Sequence, residues 1–350
     1  TIEQLELDAP RADETLVRIV GAGICHPDQV IRDQLSPPPL PSVLGHEGAG
    51  IVEAVGERVA KVKPGDHVVL SFMSCGQCAN CQQGVPAYCE VYFGANLSGS
   101  RADGSTTLHK GGEVVYGQFF GQSSFATYAL ATERNVVKVR QDAPLAVLGP
   151  LGCGIQTGAG GVMNSLRVKA GSAIAVFGTG SVGLSAIMAA VVVGCTTIIA
   201  VDINPARLQL AIILGATHTI HAGESEPVAA IRQITGAGVH YALETSAQPH
   251  LLRQAVDALR PLGVCGLIGA APLGTEVALD MTSLLNGRSV RGILEGDSIP
   301  DLFIPQLIDL YMQGRFPLDR LITFYDLDQI NQAAADSEQG RVVKPVLRMC

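Results

Sequence analysis

The sequence predicts an α/β protein that combines a β-rich domain of barrel type with a doubly wound parallel sheet. Three observations support this fold class. The first third of the chain contains short apolar runs broken by turns, as at 15–19, 50–55 and 62–70, which is typical of short strands. The middle of the chain alternates strand-like and helical segments, which indicates βαβ units. A length of 350 residues suits two domains.

The alternating segments follow one another without a break in the middle of the chain. They are a strand at 172–177, a helix at 181–193, a strand at 197–201, a helix at 205–214, a strand at 218–221, a helix at 227–234, a strand at 239–243, a helix at 250–259 and a strand at 264–268. The pattern then loosens. Helices at 303–312 and 328–335 and a final strand at 342–347 complete the prediction.

Composition and charge exclude several classes of protein. Lys and Arg number 24 against 32 Asp and Glu, giving a net charge of −8, whereas nucleic-acid binding favours a basic surface. With 47% hydrophobic and 16% charged residues, the chain is not generally disordered. Residues 170–201 carry no charge, but the glycine-rich segment 178–183 divides this run. We therefore interpret the run as a buried strand and helix rather than a membrane span.

The nine cysteines are clustered rather than dispersed. Small secreted scaffolds are denser in cysteine than this chain, and the start of the sequence lacks the pattern of a secretory signal. We therefore expect reduced cysteines that bind metal ions, in a cytoplasmic protein.

Four cysteines form the pattern C-x₂-C-x₂-C-x₇-C at Cys75, Cys78, Cys81 and Cys89. Four thiolates in one short loop suit a closed, tetrahedral Zn²⁺ site. A redox C-x-x-C pair would instead begin a helix in a βαβ unit, and the net charge opposes a zinc module that binds nucleic acid. The pattern therefore predicts a structural zinc ion.

A G-x-G-x-x-G motif at Gly178, Gly180 and Gly183 follows a predicted strand and opens a predicted helix. Glycines there let the backbone approach a pyrophosphate at the helix N-terminus. The next strand ends at Asp202, nineteen residues after Gly183, where a carboxylate would bind the ribose hydroxyls and repel the extra phosphate of NADP. A structural glycine turn with a surface aspartate is the alternative. We predict NAD as the cofactor, with Arg207 along its adenosine edge.

A further set of metal-ligating residues is dispersed along the chain. Cys25 follows a predicted strand, His46 and Glu47 lie in G-H-E-G, and Cys153 lies in P-L-G-C-G. Two cysteines and one histidine with an open fourth position form one of the catalytic zinc arrangements. Spacing alone does not join these residues, because a single cysteine is commonly a small core hydrophobe. We interpret the three remaining cysteines in that way: Cys195, Cys265 and Cys350.

Together these motifs resemble one family over essentially the whole chain, the zinc-dependent medium-chain alcohol dehydrogenases. The likeness is strongest to the aryl (benzyl) alcohol dehydrogenases, in F-F-G-Q-S-S-F-A-T-Y at 119–128, L-G-P-L-G-C-G-I-Q-T-G at 148–158 and F-I-P at 303–305. The resemblance implies a GroES-like catalytic zinc domain over residues 1–154, to which residues 295–350 return, and an NAD-binding Rossmann domain over residues 155–294. It also implies a homo-oligomer, either a dimer or a tetramer.

The resemblance assigns roles to the matching residues. Cys25, His46 and Cys153 would bind a catalytic zinc ion, the second zinc of the chain, while Asp28 would orient the His46 ring and Glu47 would ligate the metal transiently. The residues expected at the cofactor are His26 and Lys344 at the pyrophosphate, Thr157 and Val182 at the nicotinamide ring, and Ile268, Gly269 and Ala270 at the carboxamide. Those expected along the substrate pocket are Ser71, Phe119 and Phe120, although two phenylalanines are also ordinary core residues.

One departure from the family concerns release of the alcohol proton. Family members carry a hydroxyl residue at the position of Pro27 and often a histidine at the position of Val30. Neither residue of this chain relays a proton, so water, the cofactor ribose, His26 or Glu47 would have to substitute.

We therefore predict reversible oxidation of a primary aryl or allylic alcohol, such as benzyl alcohol, to its aldehyde. Hydride would pass from a zinc-bound alkoxide to NAD. A polyol or aliphatic alcohol dehydrogenase is the alternative within the family, although polyol enzymes commonly carry Glu at the position of Cys153. A weakly active or non-catalytic NAD-binding homologue is the alternative that Pro27 raises. No nucleic-acid or membrane partner is expected.

Overall fold

The computed structural model describes residues 1–34 and 39–349, so Cys350 lies outside the described residues. Its strands are β1 (Glu6–Leu7), β2 (Glu14–Gly23), β3 (Glu47–Val55), β4 (His67–Leu70), β5 (Leu108–Lys110), β6 (Glu113–Val115), β7 (Tyr128–Thr132), β8 (Val136–Lys138), β9 (Ala173–Phe177), β10 (Thr197–Asp202), β11 (His218–His221), β12 (Val239–Glu244), β13 (Leu259–Leu267), β14 (Ser289–Gly292), β15 (Ile322–Asp326) and β16 (Lys344–Arg348).

The α-helices are α1 (His26–Arg32), α2 (Ala79–Gln82), α3 (Tyr92–Leu97), α4 (Gly154–Gly160), α5 (Ser181–Val192), α6 (Pro205–Ile213), α7 (Pro227–Thr235), α8 (Pro249–Asp257), α9 (Met281–Leu284), α10 (Pro300–Met312) and α11 (Ile330–Glu338). A π-helical turn, Gly161–Ser165, continues α4. Short 3₁₀ turns lie at Pro86–Tyr88, Phe119–Gly121, Leu145–Val147, Gly149–Gly152, Glu295–Asp297, Leu318–Leu321 and Leu327–Gln329.

The chain divides into two compact units. The first comprises residues 1–154, 298–312 and 318–350, and the second comprises residues 155–297 and 313–317. The predicted boundary therefore needs correction, because 295–297 and 313–317 belong with the second unit. The turn at 295–297 packs directly on the helix that starts this unit: a Cβ on Gly296 would lie 2.5 Å from the Gln156 carbonyl oxygen and 2.9 Å from the Gly160 Cα.

Register in the main sheet of the first unit positions the candidate site. The strands lie in the order β15-β16-β2-β3-β4-β8, and β7 also pairs with β2. Antiparallel pairing of β2 with β3 places Gly23 opposite Glu47, and pairing of β16 with β2 places Gly23 opposite Val346. The Ile24 amide then donates to the Pro345 carbonyl at 3.0 Å. The end of β2 therefore meets the beginnings of both β3 and β16.

The apolar side chains of this sheet form the core that holds the register. Val17, Ile19 and Ala22 of β2 are at most 1% exposed and pack with Val52 and Val68 of the neighbouring strands. Alternate burial along β2 fits a strand with one face on a core. The sequence predicted β2 and β3, but it did not predict the small sheet β1-β5-β6 or the edge strand β15.

The second unit contains the predicted parallel sheet. Its order is β11-β10-β9-β12-β13-β14, and all neighbouring pairs are parallel. Successive strands are added on one side of β9 up to β11 and on its other side from β12 onward, so the order of addition reverses between β9 and β12. Ligands bind at the carboxyl ends of strands at such a switch point. The fold class predicted from the sequence is confirmed. The largest boundary difference is that α8 ends at Asp257 and β13 already begins at Leu259. The edge strand β14 was not predicted from the sequence.

The uncharged run at 170–201 forms β9, α5 and most of β10. None of the helices within residues 1–34 and 39–349 is both long enough and apolar enough to span a membrane. Apolar residues of β9 and β10 are buried between strands and helices, with Ala175, Phe177 and Ile199 all at 0% exposure. This burial explains why the sequence of the run is continuously apolar.

We predict that Gly183→Ala lowers the free energy of unfolding by about 1–3 kcal/mol, the usual cost of overpacking. A Cβ at this position would lie 1.9 Å from the Gly178 carbonyl oxygen, so the turn after β9 would have to shift. Thermal or urea denaturation measures the change. Gly180→Ala is the matched control, because its Cβ would meet open space. Gly180 is the N-cap of α5, so this control loses only the difference between Gly and Ala as N-cap residues. Equal stability of Gly183→Ala and the unsubstituted protein would contradict the prediction.

Candidate metal centres and dinucleotide site

Four dispersed residues come together in the first unit. The donor atoms of Cys25, His46, Glu47 and Cys153 all lie within 4.8 Å of one another. Cys25 lies just after β2 and is the N-cap of α1, His46 and Glu47 lie at the start of β3, and Cys153 directly precedes α4. The antiparallel register of β2 and β3 brings the first three together, which their spacing in the sequence does not reveal.

The Asp28 carboxylate links two of these residues. Its Oδ2 accepts from the Cys25 amide at 3.0 Å, and its Oδ1 lies 3.0 Å from both the Gly45 amide and His46 Nδ1. Asp28 is 3% exposed. With Nδ1 donating to this carboxylate, the Nε2 lone pair of His46 is directed at the sulfur atoms. Nε2 is buried and has no hydrogen-bond partner in the described part of the chain.

Two aromatic rings hold the imidazole of His46. The Phe120 ring stacks on it at a centroid distance of 4.6 Å, and the Phe119 ring meets it edge-on at 5.5 Å. Phe120 has φ 51° and ψ 32°, a left-handed conformation that is rare for a bulky residue. The sequence predicted that these rings line a substrate pocket; the structure places both against the ring of His46, with exposures of 1% and 5%.

Glu47 and Lys344 form a buried ion pair behind the sulfur atoms. Lys344 Nζ lies 2.9 and 3.0 Å from the two carboxylate oxygens of Glu47 and 3.1 Å from the Ile24 carbonyl, and both side chains are at most 1% exposed. Glu47 Oε1 also accepts from the Gly154 amide at 3.1 Å. Burial raises the pKa of Glu47 to about 7 against the lowering effect of Lys344. Lys344, which the resemblance places at the pyrophosphate, is thus paired with Glu47 and the Ile24 carbonyl; its contact with a cofactor stays a prediction.

The electrostatics of the centre favour a cation. A hydrogen bond with Cys153 lowers the pKa of the Cys25 thiol well below its usual value, and although burial opposes this, the charges of Lys344 and His46 assist it. Burial opposes a charged imidazole, yet Asp28 and Cys25 raise the pKa of His46 well above its usual range. A metal ion can take the place of the proton on His46 and balance the charge of the Cys25 thiolate. Two thiols and one imidazole with a free Nε2 fit a zinc ion.

The remaining residues of this region have structural contacts of their own. The Ser71 hydroxyl, predicted in the substrate pocket, is 0% exposed and donates to the Gly152 carbonyl at 2.8 Å. His26 is exposed at the start of α1 and Val30 is half-buried. Pro27 lies in the first turn of α1, where a proline is tolerated because that N–H has no intrahelical partner. No hydroxyl group stands at this position.

The sequence analysis missed two features of the centre. It gave no role to Gln122, which contacts the backbone of His46, and it missed the pairing of Lys344 with Glu47. A lysine inside the apolar strand V-V-K-P-V-L is a signal for a buried ion pair, since a lysine is rarely buried without a partner. Gln122 carries no comparable signal in the sequence.

The four-cysteine loop forms a second cluster in the first unit. The sulfur atoms of Cys75, Cys78, Cys81 and Cys89 all lie within 4.8 Å of one another. The Cys75 amide donates to Cys89 Sγ at 3.2 Å and the Cys78 amide to Cys75 Sγ at 3.3 Å. Backbone N–H groups of Glu90 and Cys81 lower the pKa of Cys78 to about 6. Backbone N–H groups of Gln77 and Cys78 also lower the pKa of Cys75. The loop thus holds four sulfur donors, two of them favoured as thiolates, which fits a closed zinc site.

The glycine motif lies at the switch point of the parallel sheet. Gly178 follows β9 with φ 91°, and a Cβ at Gly180 would meet open space, which leaves room for a ligand beside the N-terminus of α5. Asp202 ends β10. Its Oδ2 accepts from the Thr179 amide and hydroxyl at 2.6 and 2.7 Å, and its Oδ1 accepts from the Ile203 and Asn204 amides. The carboxylate is therefore fixed next to the glycine turn.

The other predicted cofactor residues of the second unit are spread over several elements. Arg207 lies on α6, and its buried Nε has no partner among the described residues. Val182 is half-buried in the first turn of α5, and the Thr157 hydroxyl donates to the Glu295 carboxylate at 3.4 Å. Ala270 is exposed, whereas the amides of Ile268 and Gly269 both donate to the Glu244 carbonyl, at 2.9 and 3.1 Å. Those two amides are therefore occupied within the protein.

Comparison with known proteins identifies the family. The family model described as the alcohol dehydrogenase GroES-like domain matches residues 11–141, and the one described as zinc-binding dehydrogenase matches residues 181–312. The chain belongs to the zinc-dependent medium-chain alcohol dehydrogenases, as the resemblance in its sequence predicted. It is thus a zinc-type alcohol dehydrogenase of the oxidoreductase class, and its alcohol dehydrogenase homologues act on small-molecule alcohols.

Three relatives illustrate how far the similarity extends. The chain is 47% identical over 350 residues to a geraniol dehydrogenase of Castellaniella defragrans, with 99% of this chain and 93% of the relative covered. The crystal structure of an alcohol dehydrogenase zinc-binding domain protein from Burkholderia ambifaria has a TM-score of 0.99 at 57% identity, covering 100% of this chain and 95% of that chain. That of the benzyl alcohol dehydrogenase from Acinetobacter calcoaceticus has a TM-score of 0.96 at 50% identity, covering 99% and 94%.

We predict that Cys89→Ser removes one zinc ion per chain and lowers the melting temperature by at least about 5 °C, because a structural metal site contributes directly to folding. Metal analysis and thermal denaturation test this prediction. Cys195→Ser is the control, since Cys195 lies outside both donor clusters. Full zinc content in Cys89→Ser would contradict a metal site in this loop.

Proposed function

We propose that this alcohol dehydrogenase oxidises primary aryl or allylic alcohols to aldehydes, with NAD as the hydride acceptor. The observation that carries the proposal is the pair of phenylalanine rings that touches the ring of His46. Because these rings are buried against His46, they make the surroundings of the donor cluster apolar, and apolar surroundings favour an unsaturated hydrocarbon alcohol over a hydrophilic polyol. The names of two relatives are in accord, since geraniol is an allylic alcohol and benzyl alcohol an aryl alcohol.

The residues of the chain prepare the site for this chemistry. A bound zinc ion supplies the Lewis acidity that lowers the pKa of a coordinated alcohol, and NAD accepts the hydride. Asp28 fixes the tautomer and the orientation of His46. Phe119 and Phe120 keep water from the imidazole, which strengthens electrostatic interactions there. The Lys344 ammonium offsets one of the negative charges that surround the metal position.

The proposal includes one zinc ion at each of the two donor clusters, hence two per chain. NAD is favoured over NADP because the Asp202 carboxylate would repel a phosphate on the ribose. The family also supports a homo-oligomeric protein. None of the eight cysteines in residues 1–34 and 39–349 forms a disulfide, which supports the reducing cytoplasm as the compartment.

A second candidate function follows from Pro27. Because this residue has no hydroxyl beside Cys25, the alcohol proton needs another acceptor, and a chain without one would be a weakly active or non-catalytic NAD-binding protein. Exposed His26, one residue closer to Cys25, remains in the proposal as an alternative acceptor, together with water, the cofactor ribose and Glu47.

We predict NADH formation from benzyl alcohol and from geraniol with kcat/KM at least about tenfold above the values for ethanol and sorbitol, since pocket contacts discriminate by one or more kcal/mol. The assay uses zinc-loaded protein and follows NADH absorbance. A higher kcat/KM for sorbitol or ethanol would overturn the proposed substrate class.

No turnover of any alcohol, with two zinc ions bound and NAD binding measured directly, would instead favour the non-catalytic alternative. In that case Pro27→Thr tests the proton route. Recovery of turnover in Pro27→Thr would locate the defect at this residue, and continued inactivity would locate it elsewhere.

We predict that Asp202→Ser raises kcat/KM for NADP relative to NAD by about tenfold or more, because one negative charge near the ribose is removed. Steady-state kinetics with both cofactors measures the ratio. Glu224→Ser is the matched control, since this acidic side chain of the same unit is 77% exposed. An unchanged ratio in a folded Asp202→Ser protein would show that Asp202 does not select the cofactor.

A further inference from the structure

Gln122 makes an unusual set of contacts beside the candidate catalytic metal centre. It follows the Phe119–Gly121 turn and is 1% exposed. Its Oε1 accepts from the Gly48 amide at 3.1 Å, and its Nε2 donates to the His46 carbonyl at 3.0 Å and to the Ser71 carbonyl at 3.3 Å. The side-chain amide therefore bonds to the backbone on both sides of Glu47.

These bonds connect the histidine segment to the second cysteine segment. The Ser71 carbonyl accepts a hydrogen bond from Gln122 Nε2, and the Ser71 hydroxyl donates to the Gly152 carbonyl at 2.8 Å. Gly152 directly precedes Cys153. A chain of hydrogen bonds thus runs from the backbone of His46 through Gln122 and Ser71 to the backbone next to Cys153. Asp28 makes the corresponding link between His46 and Cys25.

The segment that presents Gln122 is itself tightly held. Phe120, Gly121 and Ser123 have φ values of 51°, 64° and 49°, and left-handed residues persist only where their surroundings fix them. The Asn135 amide donates to the Phe120 and Gly121 carbonyls at 3.3 and 3.1 Å, and the Ser123 hydroxyl donates to the Val43 carbonyl at 2.6 Å. Gln122 is thus presented by a rigid turn.

The chemistry of the three contacts requires an amide. One partner is an N–H donor and two are carbonyl acceptors, so the group must accept and donate at once. A carboxylate would satisfy Gly48 but would face two carbonyl oxygens. An aliphatic side chain would remove the side-chain partner of the Gly48 amide and of the His46 carbonyl, whereas the Ser71 carbonyl would keep the Asn135 amide at 3.4 Å. Within the described residues, no other side chain of this turn both accepts from and donates to the backbone around His46.

We propose that Gln122 is a positioning residue for the catalytic metal: it fixes the backbone of His46 relative to Cys153 and holds the Phe119–Phe120 rings in register with the imidazole. The inference rests on the metal centre of the proposed function, but not on the identity of the alcohol or of the cofactor. Loss of Gln122 should therefore change the ligand field of the metal even while the fold is kept.

Cobalt substitution tests the proposal in the intact chain. Co²⁺ replaces zinc, and its visible spectrum and its retention against a competing chelator are measured for the unsubstituted protein, Gln122→Leu and Gln122→Glu. Gln118→Leu is the matched control. Gln118 is also buried, at 4% exposure, and it donates to a strand carbonyl, that of Leu130, at 3.0 Å. The four-cysteine site serves as an internal standard in every sample.

We expect the centre in Gln122→Leu to bind cobalt about 10–100-fold more weakly, as for other groups that orient metal ligands, with altered bands at that site. Gln122→Glu, which keeps the bond to Gly48, should be intermediate. Gln118→Leu should lose stability without a spectral change. If Gln122→Leu does not fold, Gln122→Glu alone decides.

The proposal would be overturned if folded Gln122→Leu had the cobalt affinity and spectrum of the unsubstituted protein. If Gln122→Leu does not fold, the same result for Gln122→Glu would overturn it. An equal spectral change in Gln118→Leu would also overturn it, by showing a general packing effect. Failure of the unsubstituted protein to oxidise any alcohol leaves these readouts intact and counts only against the proposed function. If the unsubstituted protein bound only one cobalt ion, at the four-cysteine site, this result would overturn both the role of Gln122 and the proposed function.

Discussion

The carboxylate of Asp28 is the contact on which the geometry of the candidate metal centre depends. It accepts from the Cys25 backbone, the Gly45 backbone and the His46 ring, so one buried group joins the end of β2 to the beginning of β3. Its place in the first turn of α1 is favoured by the helix dipole. The strand register brings the two segments near each other, and the hydrogen bonds of this carboxylate fix the orientation of the Cys25 thiol relative to the His46 imidazole.

Charge is the second constraint on the centre. Two thiolates and the carboxylates of Asp28 and Glu47 would repel one another in a buried space. Lys344 offsets part of this charge, and its ammonium group is satisfied by Glu47 and the Ile24 carbonyl. A divalent cation offsets the rest. The donors are thus held together by partners that make a filled site more favourable than an empty one.

Local and long-range features differ in how well the sequence reveals them. The four-cysteine loop, the glycine turn and Asp202 are set by short spacings, because each belongs to one loop or one βαβ unit. The βαβ series was predicted to within a few residues for the same reason. Cys25, His46 and Cys153 could be assigned to one site only through family resemblance, because strand register, and not spacing in the sequence, brings them together. Lys344, Gln122 and the stacking of Phe120 on His46 depend on contacts across strands, which no local pattern encodes.

The position of Lys344 in the chain has a consequence for biosynthesis. Cys25, His46 and Cys153 leave the ribosome early, whereas β16, which carries Lys344 and pairs with β2, is made only after the whole of the second unit. Until β16 docks, β2 lacks one of its neighbours and Glu47 lacks its counter-charge, although domains tend to fold as they emerge. The candidate metal centre therefore reaches its native charge balance only after β16 docks, well after Cys25, His46 and Cys153 have been synthesised.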